Sequence, residues 1–380
     1  MHTDSELLAA RDSAAPTESL HGLEVHDVRM RQHRRLPSPA PFDLTGSPGR
    51  EGDQRIGGGH EVALFAAPGS DPALPVRELA VARFSPSDEA LSDVNAMSES
   101  WMHEHHAYLG LMLELRRDGV ARFDVIHNNS LHHLPVAMAE ITGLPVITTL
   151  HTPPTPWLES AVRFAPGTAS FVAVSEHTAR AWASTVTASV VRNGVDTTRW
   201  VPGAGGARAI WFGRLVPEKA PHLAIEAAKL AGVGLDLAGP IADADYFDRS
   251  VAPLLGGEIR YLGHLRHDEL VGAVGSAGVA LVTPAWNEPY GLVAAEALAC
   301  GTPVAAFDRG ALAEIVDERS GRLAPADDVY ALAAALLDAR DLSRADARAR
   351  AVKSCSLQRM VDEYEDQYRA VSMGASRPAA

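Results

Sequence analysis

From residue 58 onward, short apolar runs alternate with longer stretches in which apolar residues recur every three or four positions. The runs at 61–67, 123–127, 145–150 and 171–174 have strand length and end at Pro, His or Ser. Between them, 101–117 carries Tyr108, Leu111, Met112 and Leu115 at helical spacing. Residues 131–141 read as a short helix closed by Gly143, and Ser175 can cap a helix that follows it. Residues 190–196 form a further strand and turn. The Pro/Gly-rich stretch 202–206 is a hinge, and the same alternation then resumes. Strands are predicted at 209–212, 235–238, 259–262, 279–283 and 304–307, with helices at 223–231, 267–277, 292–300 and 329–340. A last amphipathic helix, 357–368, can return to the first half. Strands alternating with helices predict doubly wound parallel sheets, which bind ligands outside the carboxyl ends of their strands. His127, His151 and Ser175 fall at such ends.

The first 57 residues break this pattern. Arg, His, Pro, Ser and Gly dominate residues 29–59, without a period of 2 or 3.6. The segment is expected to be atypical, disordered or irregular, with ordinary patterning starting abruptly at Gly58.

Composition changes the picture mainly by exclusion. The chain has 380 residues, enough for two domains, with 46% hydrophobic and 22% charged residues. A net charge of −14 argues against a nucleic-acid partner and leaves at most peripheral membrane contact. No apolar window is long enough to span a bilayer, and Met1–Glu6 lacks a signal-peptide start. Cys300 and Cys355 make neither a disulfide framework nor a zinc spacing, so a cytoplasmic protein is expected. His103, His105 and His106 lie on the predicted 101–117 helix, with His103 and His106 sharing a face. No carboxylate or Cys completes a metal shell there, so the reading is a hydrated helix face.

The chemistry concentrates at residues 286–304. Pro284 and Pro289 keep this loop out of a helix interior, and Pro289 suits a first helical turn. Good helix formers fill 292–300, Gly301 suits the position after the helix, and Pro303 stops it. Glu288 therefore precedes a helix N-terminus, where open N–H groups can hold phosphate or sugar oxygens. Glu296 lies about two turns further on. Arg214 and Lys219, with Gly213 allowing close approach, stand in the loop after the strand 209–212, where two cations suit a diphosphate. Taken singly, each of these charged residues is more often a solvated surface charge. Together they outline a ligand with a diphosphate, a ribose and a polyhydroxylated ring.

Glu288 and Glu296 have the E-x7-E spacing of retaining glycosyltransferases. The text Glu-Pro-Tyr-Gly-Leu-Val followed by Glu-Ala-Leu-Ala-Cys-Gly-Thr-Pro-Val resembles glycosyltransferase family 4. Gly213-Arg214-Leu215 with Lys219 is similar to that family's phosphate loop, and Asn193–Asp196 to its inter-domain motif. Residues 148–152 are similar to its active-site histidine segment. The resemblance implies the GT-B fold, two Rossmann-like doubly wound α/β/α domains facing each other across a cleft. Residues 58–200, plus the helix 355–370, would be the acceptor-side domain and 201–354 the donor domain. It further implies transfer from a nucleotide diphosphate sugar, UDP-sugar before GDP-sugar, with retention. No cofactor or metal is implied, and the acceptor is a small molecule, glycan or lipid. His151, Arg214, Lys219 and Glu288 would be catalytic. Gly213, Leu265, Tyr290, Gly291, Leu292 and Glu296 would bind the donor.

The resemblance starts only at about Gly58. The family's first strand, Gly-rich loop and helix are not recognisable before it, so the first sheet is expected to lack a central strand. Two further readings stay open: a nucleotide-sugar epimerase on the same fold, and a donor-binding protein with impaired catalysis.

Overall fold

The computed structural model describes residues 25–29, 55–56, 60–66, 76–79, 84–165, 167 and 169–375. The strands of the first half are β1 (Val25–Arg29), β2 (Arg55–Ile56), β3 (His60–Ala66), β4 (Val76–Glu78), β5 (Val125–Asn128), β6 (Val146–Leu150), β7 (Ala169–Ala173) and β8 (Ser189–Val190). Those of the second are β9 (Ala209–Phe212), β10 (Leu235–Ala238), β11 (Ile259–Tyr261), β12 (Val279–Val282), β13 (Val304–Phe307) and β14 (Gly321–Ala324).

The second sheet runs β11-β10-β9-β12-β13-β14, with every pairing parallel. Numbered from its own first strand, this is the order 3-2-1-4-5-6 of the doubly wound dinucleotide fold, which reverses direction between β9 and β12. Its strands are buried on both faces and so read as apolar runs without alternation. On one face, Ala294, Ala295, Leu298 and Cys300 pack with Ile210, Phe212 and Ala280. On the other, Ile225 and Ala228 of the Pro221–Ala231 helix and Leu332 and Leu336 of the Val329–Ala339 helix meet Trp211, Leu281 and Phe307. The Leu292–Ala299 helix is apolar almost all round because the Arg344–Ser354 helix covers its outer side.

The first sheet runs β2-β3-β1-β5-β6-β7-β8, with β4 also paired to β3. From β5 to β8 the pairings are parallel. Val125, Ile147 and Val172 face Met360, Tyr364 and Tyr368 of the Leu357–Ala375 helix on one side. Ile126 faces Tyr108, Leu111 and Leu115 of the Glu99–Arg122 helix on the other.

Three expectations need correction. The first sheet does have a strand in its centre: β1, antiparallel to β3 and to β5, joins two strands that would otherwise leave open ladder edges. So residues 1–57 are not wholly irregular, since β1 and β2 belong to the sheet; the remainder of that segment lies outside the described residues. The helix expected at 131–141 is instead an α-turn, Leu134–Ala137, and a 3₁₀ turn, Ala139–Thr142, with Pro135 at its start. Pro289 lies outside the helix, which Gly291 caps.

The halves exchange chain at one crossing. Val195 N–H donates to Cys355 O at 2.7 Å, and Leu357 N–H donates to Val195 O at 2.9 Å. Gly194 sits against this return: a Cβ there would lie 2.6 Å from Leu357 Cα.

Candidate functional site

The loops after β9, β10 and β11 are laced together by backbone. Gly213 N–H donates to Ala238 O at 3.0 Å, Gly239 N–H to Gly263 O at 2.9 Å and Leu215 N–H to Pro240 O at 2.9 Å. Gly239 has φ +142, and a Cβ on it would meet Gly213 O at 1.9 Å, so only glycine lets the first two loops touch. The loop after β9 turns through Pro217–Lys219 into Ala220, a non-glycine at φ 44. Trp211 Nε1 donates to Thr283 Oγ1 at 3.1 Å, and the Thr283 hydroxyl is shared between Lys219 O and Ala220 O. Ala285 N–H donates to Glu218 O at 2.8 Å. The two loops flanking the switch point are thereby one unit.

That unit sets Lys219 Nζ 2.7 Å from Glu288 Oε2, with only 24% and 14% of the two side chains exposed. Trp286 Nε1 donates to the same carboxylate oxygen at 3.2 Å, and Lys219 Nζ lies 5.5 Å from the Trp286 ring centroid. Glu288 is also held by its backbone. Ala311 N–H donates to Glu288 O at 2.8 Å, and a Cβ on Gly310 would lie 2.2 Å from that oxygen. Three residues on, Gly291 at φ +108 begins the Leu292–Ala299 helix, whose first N–H groups have no intrahelical partner. Glu296 is half-buried on this helix, and burial pushes its carboxyl up to about 7.

The structure brings Lys219 and Glu288 together, with Gly213 in the adjoining loop. Arg214 stands apart, 60% exposed and 3.8 Å from Glu218. Leu292 is exposed at the helix start, and Leu265 packs half-buried against the core. The Tyr290 ring is buried in the core beside Cys355, and burial pushes its phenol far up, so what it can offer a ligand is backbone. His151 lies at the carboxyl end of β6, its Nε2 3.0 Å from Asn129 Oδ1.

Sequence reasoning missed several contributors. Trp286, Gly239 and Gly310 carry no signal in the sequence that marks them as part of the site. The first half also reaches the donor loop: Ser175 Oγ donates to Pro289 O at 2.6 Å and Thr178 Oγ1 donates to it at 3.2 Å. Glu314 of the second half accepts the N–H groups of Glu176 and His177 at 3.0 and 2.8 Å, where an acid suits a helix start. Only proximity in space reveals such pairs. The histidines group differently from the sequence reading too. His103 pairs with Glu99 at 3.7 Å, whereas His105 meets His132 and His133 from the loop after β5.

Two adjoining family descriptions match the chain: Glycosyltransferase Family 4 at residues 56–199 and Glycosyl transferases group 1 at residues 202–354. The chain belongs to glycosyltransferase family 4. This family 4 glycosyltransferase is 29% identical over 302 residues to glycogen synthase of Mycobacterium tuberculosis, covering 68% of this chain and 70% of that one. It is 34% identical over 160 residues to the D-inositol 3-phosphate glycosyltransferase of Mycolicibacterium smegmatis, 37% of each chain. In structure it is similar to HepE of Anabaena in complex with UDP, with TM-score 0.61, 19% identity and coverage of 78% and 87%. The sucrose-phosphate synthase of Thermosynechococcus elongatus gives TM-score 0.61, 19% identity and coverage of 80% and 85%. These likenesses give the GT-B fold. Among the described residues, no helix is long and apolar enough to cross a membrane.

Proposed function

We propose that this glycosyltransferase moves a hexosyl group from a UDP-sugar to a hydroxyl acceptor with retention, and that the transfer needs no metal at the diphosphate. The observation that carries this reading is the Lys219–Glu288 pair at the switch point of the second sheet. A protein ion pair this dry holds a cation and a hydrogen-bond acceptor ready for a ligand that has both an anion and hydroxyls. In the proposed complex Lys219 turns to the diphosphate and Glu288 to the sugar hydroxyls. Arg214, reaching in from solvent, adds a second cation as charge develops on the leaving oxygen, where electrostatic stabilisation is strongest. The Glu296 carboxyl faces the ribose hydroxyls, and N–H groups at Gly291 and Leu292 take phosphate or sugar oxygens. His151 approaches the sugar from the first half. The bond from the anomeric carbon to the diphosphate breaks, the bond to the acceptor oxygen forms, and the acceptor proton leaves with the UDP or to water. UDP is favoured because HepE, similar in fold, binds it.

The test is product analysis with labelled UDP-sugars and candidate acceptors. A new glycoside of retained configuration plus UDP is expected; an isomerised UDP-sugar would instead mark an epimerase, and bound but unreacted donor a binding protein. Lys219→Ala and Glu288→Ala are each expected to slow transfer at least about a hundredfold, on the order of 3 kcal/mol of transition-state stabilisation. Near-normal rates in both would overturn the site.

A further inference from the structure

Away from the donor loops, the Glu99–Arg122 helix and the loop after β5 bring three imidazoles together. One ring nitrogen each from His105, His132 and His133 lies within 4.8 Å of the others. Their ring centroids are 4.4 to 5.8 Å apart. Each imidazole is backed by an aromatic ring: Trp101 on His105 at 5.0 Å, Tyr108 on His132 at 4.7 Å and Trp157 on His133 at 5.3 Å. This stacking fixes the ring planes but offers the nitrogens no partner. His132 is only 6% exposed, yet its Nε2 has no hydrogen-bond partner, and neither does His105 Nδ1. Buried polar nitrogens are normally satisfied, so two in one cluster call for a ligand.

We propose that His105, His132 and His133 bind a first-row divalent cation of the zinc class through their ring nitrogens. Three neutral imidazoles with a fourth position for water or a substrate oxygen are a familiar donor set for Zn²⁺. Nitrogens bound to zinc at about 2.0–2.1 Å stand roughly 3.3 Å apart in a tetrahedron, so the cluster must close by up to about 1.5 Å. His105 and His133 are half-buried and can make this rotation. His132 Nδ1 accepts the Leu134 N–H at a long 3.2 Å, and losing this one neutral hydrogen bond is small beside gaining a metal–imidazole bond. The site lies at the carboxyl edge of the first sheet. Asn129, on the same loop, contacts His151, so a bound cation would brace the loop on which His151 rests.

The experiment titrates metal-stripped full-length protein with Zn²⁺ by calorimetry and with Co²⁺ by visible absorption. One equivalent per chain and the intense visible bands of low-coordinate, nitrogen-bound Co²⁺ are expected. His105→Gln/His133→Gln, at the two half-buried positions, is expected to weaken Zn²⁺ binding at least about tenfold while circular dichroism stays unchanged. Pale octahedral Co²⁺ spectra, binding below one equivalent, or affinity unchanged in the double variant would each overturn the proposal. Should the double variant lose its fold, the Co²⁺ spectrum of the unaltered protein decides alone.

Discussion

Glu296 has an unusual position for a carboxylate. Burial raises it from the ordinary 4.5 to about 7, so the folded protein favours the protonated acid more than the unfolded chain does. The sign follows. Below pH 4.5 both states hold the proton and nothing is lost; between 4.5 and 7 the folded state is progressively penalised; above 7 the full penalty, about 1–3 kcal/mol, applies. Glu296→Gln should therefore raise the unfolding temperature at pH 8 and leave it nearly unchanged at pH 4.5. An equal shift at both pH values in a melting series would exclude this origin. The same substitution should weaken UDP binding, which would show that the burial is kept for the ligand. Lys219 and Glu288 call for a different test, because each is the other's partner. Removing either leaves a half-buried charge unmatched, so the double variant should lose less activity than the product of the two single losses. Glu288, Glu296, Arg214 and Lys219 were visible in the sequence as charges at strand ends and helix starts. The 2.7 Å pairing was not, because it joins loops 69 residues apart.

At the scale of elements, the site depends on backbone approaching backbone. A methyl group on Gly310 would lie 2.2 Å from Glu288 O and 2.3 Å from Glu288 N, with no flexible side chain to yield. Gly310→Ala should displace the Glu288 loop and weaken UDP-sugar binding at least about tenfold, roughly 1.4 kcal/mol, as read by calorimetry. Unchanged affinity would show that the loop has slack. The regular elements were the most legible, since parallel strands buried on both faces print as apolar runs. β14 was missed because Gly321-Arg322-Leu323-Ala324 has a Gly and an Arg among its four residues and two of them are only half-buried, so it does not print as an apolar run. β1 was missed for a related reason: Val25-His26-Asp27-Val28-Arg29 has no clean alternation, and its strand state comes from the open edges on either side. Tertiary context there overrides a weak local preference.

For the whole molecule, the sequence showed two doubly wound halves and the return of the last helix to the first, but not the contacts that tie them. The last helix belongs to the first sheet although the chain reaches it from the second half. Tyr364 is buried between β5, β6 and β7, its hydroxyl 2.8 Å from Thr149 Oγ1. Tyr364→Ala should cost about 3–5 kcal/mol, and the loss should fall on the first half. Calorimetry should then show an early transition for that half, separate from the second; a single transition shifted as one would mean that the halves melt together.

Ser175 and Thr178 of the first half hold Pro289 O, one residue from Glu288. A swing that parts the halves must break these bonds to the loop that carries the carboxylate. If a nucleotide sugar sits on this loop as proposed, clasping of the halves and occupancy of the donor site are linked, and thermodynamic reciprocity applies. Whatever factor a nucleotide contributes toward closure, closure returns to the nucleotide as affinity. An acceptor that wedges the halves together would tighten the grip on a donor it never touches.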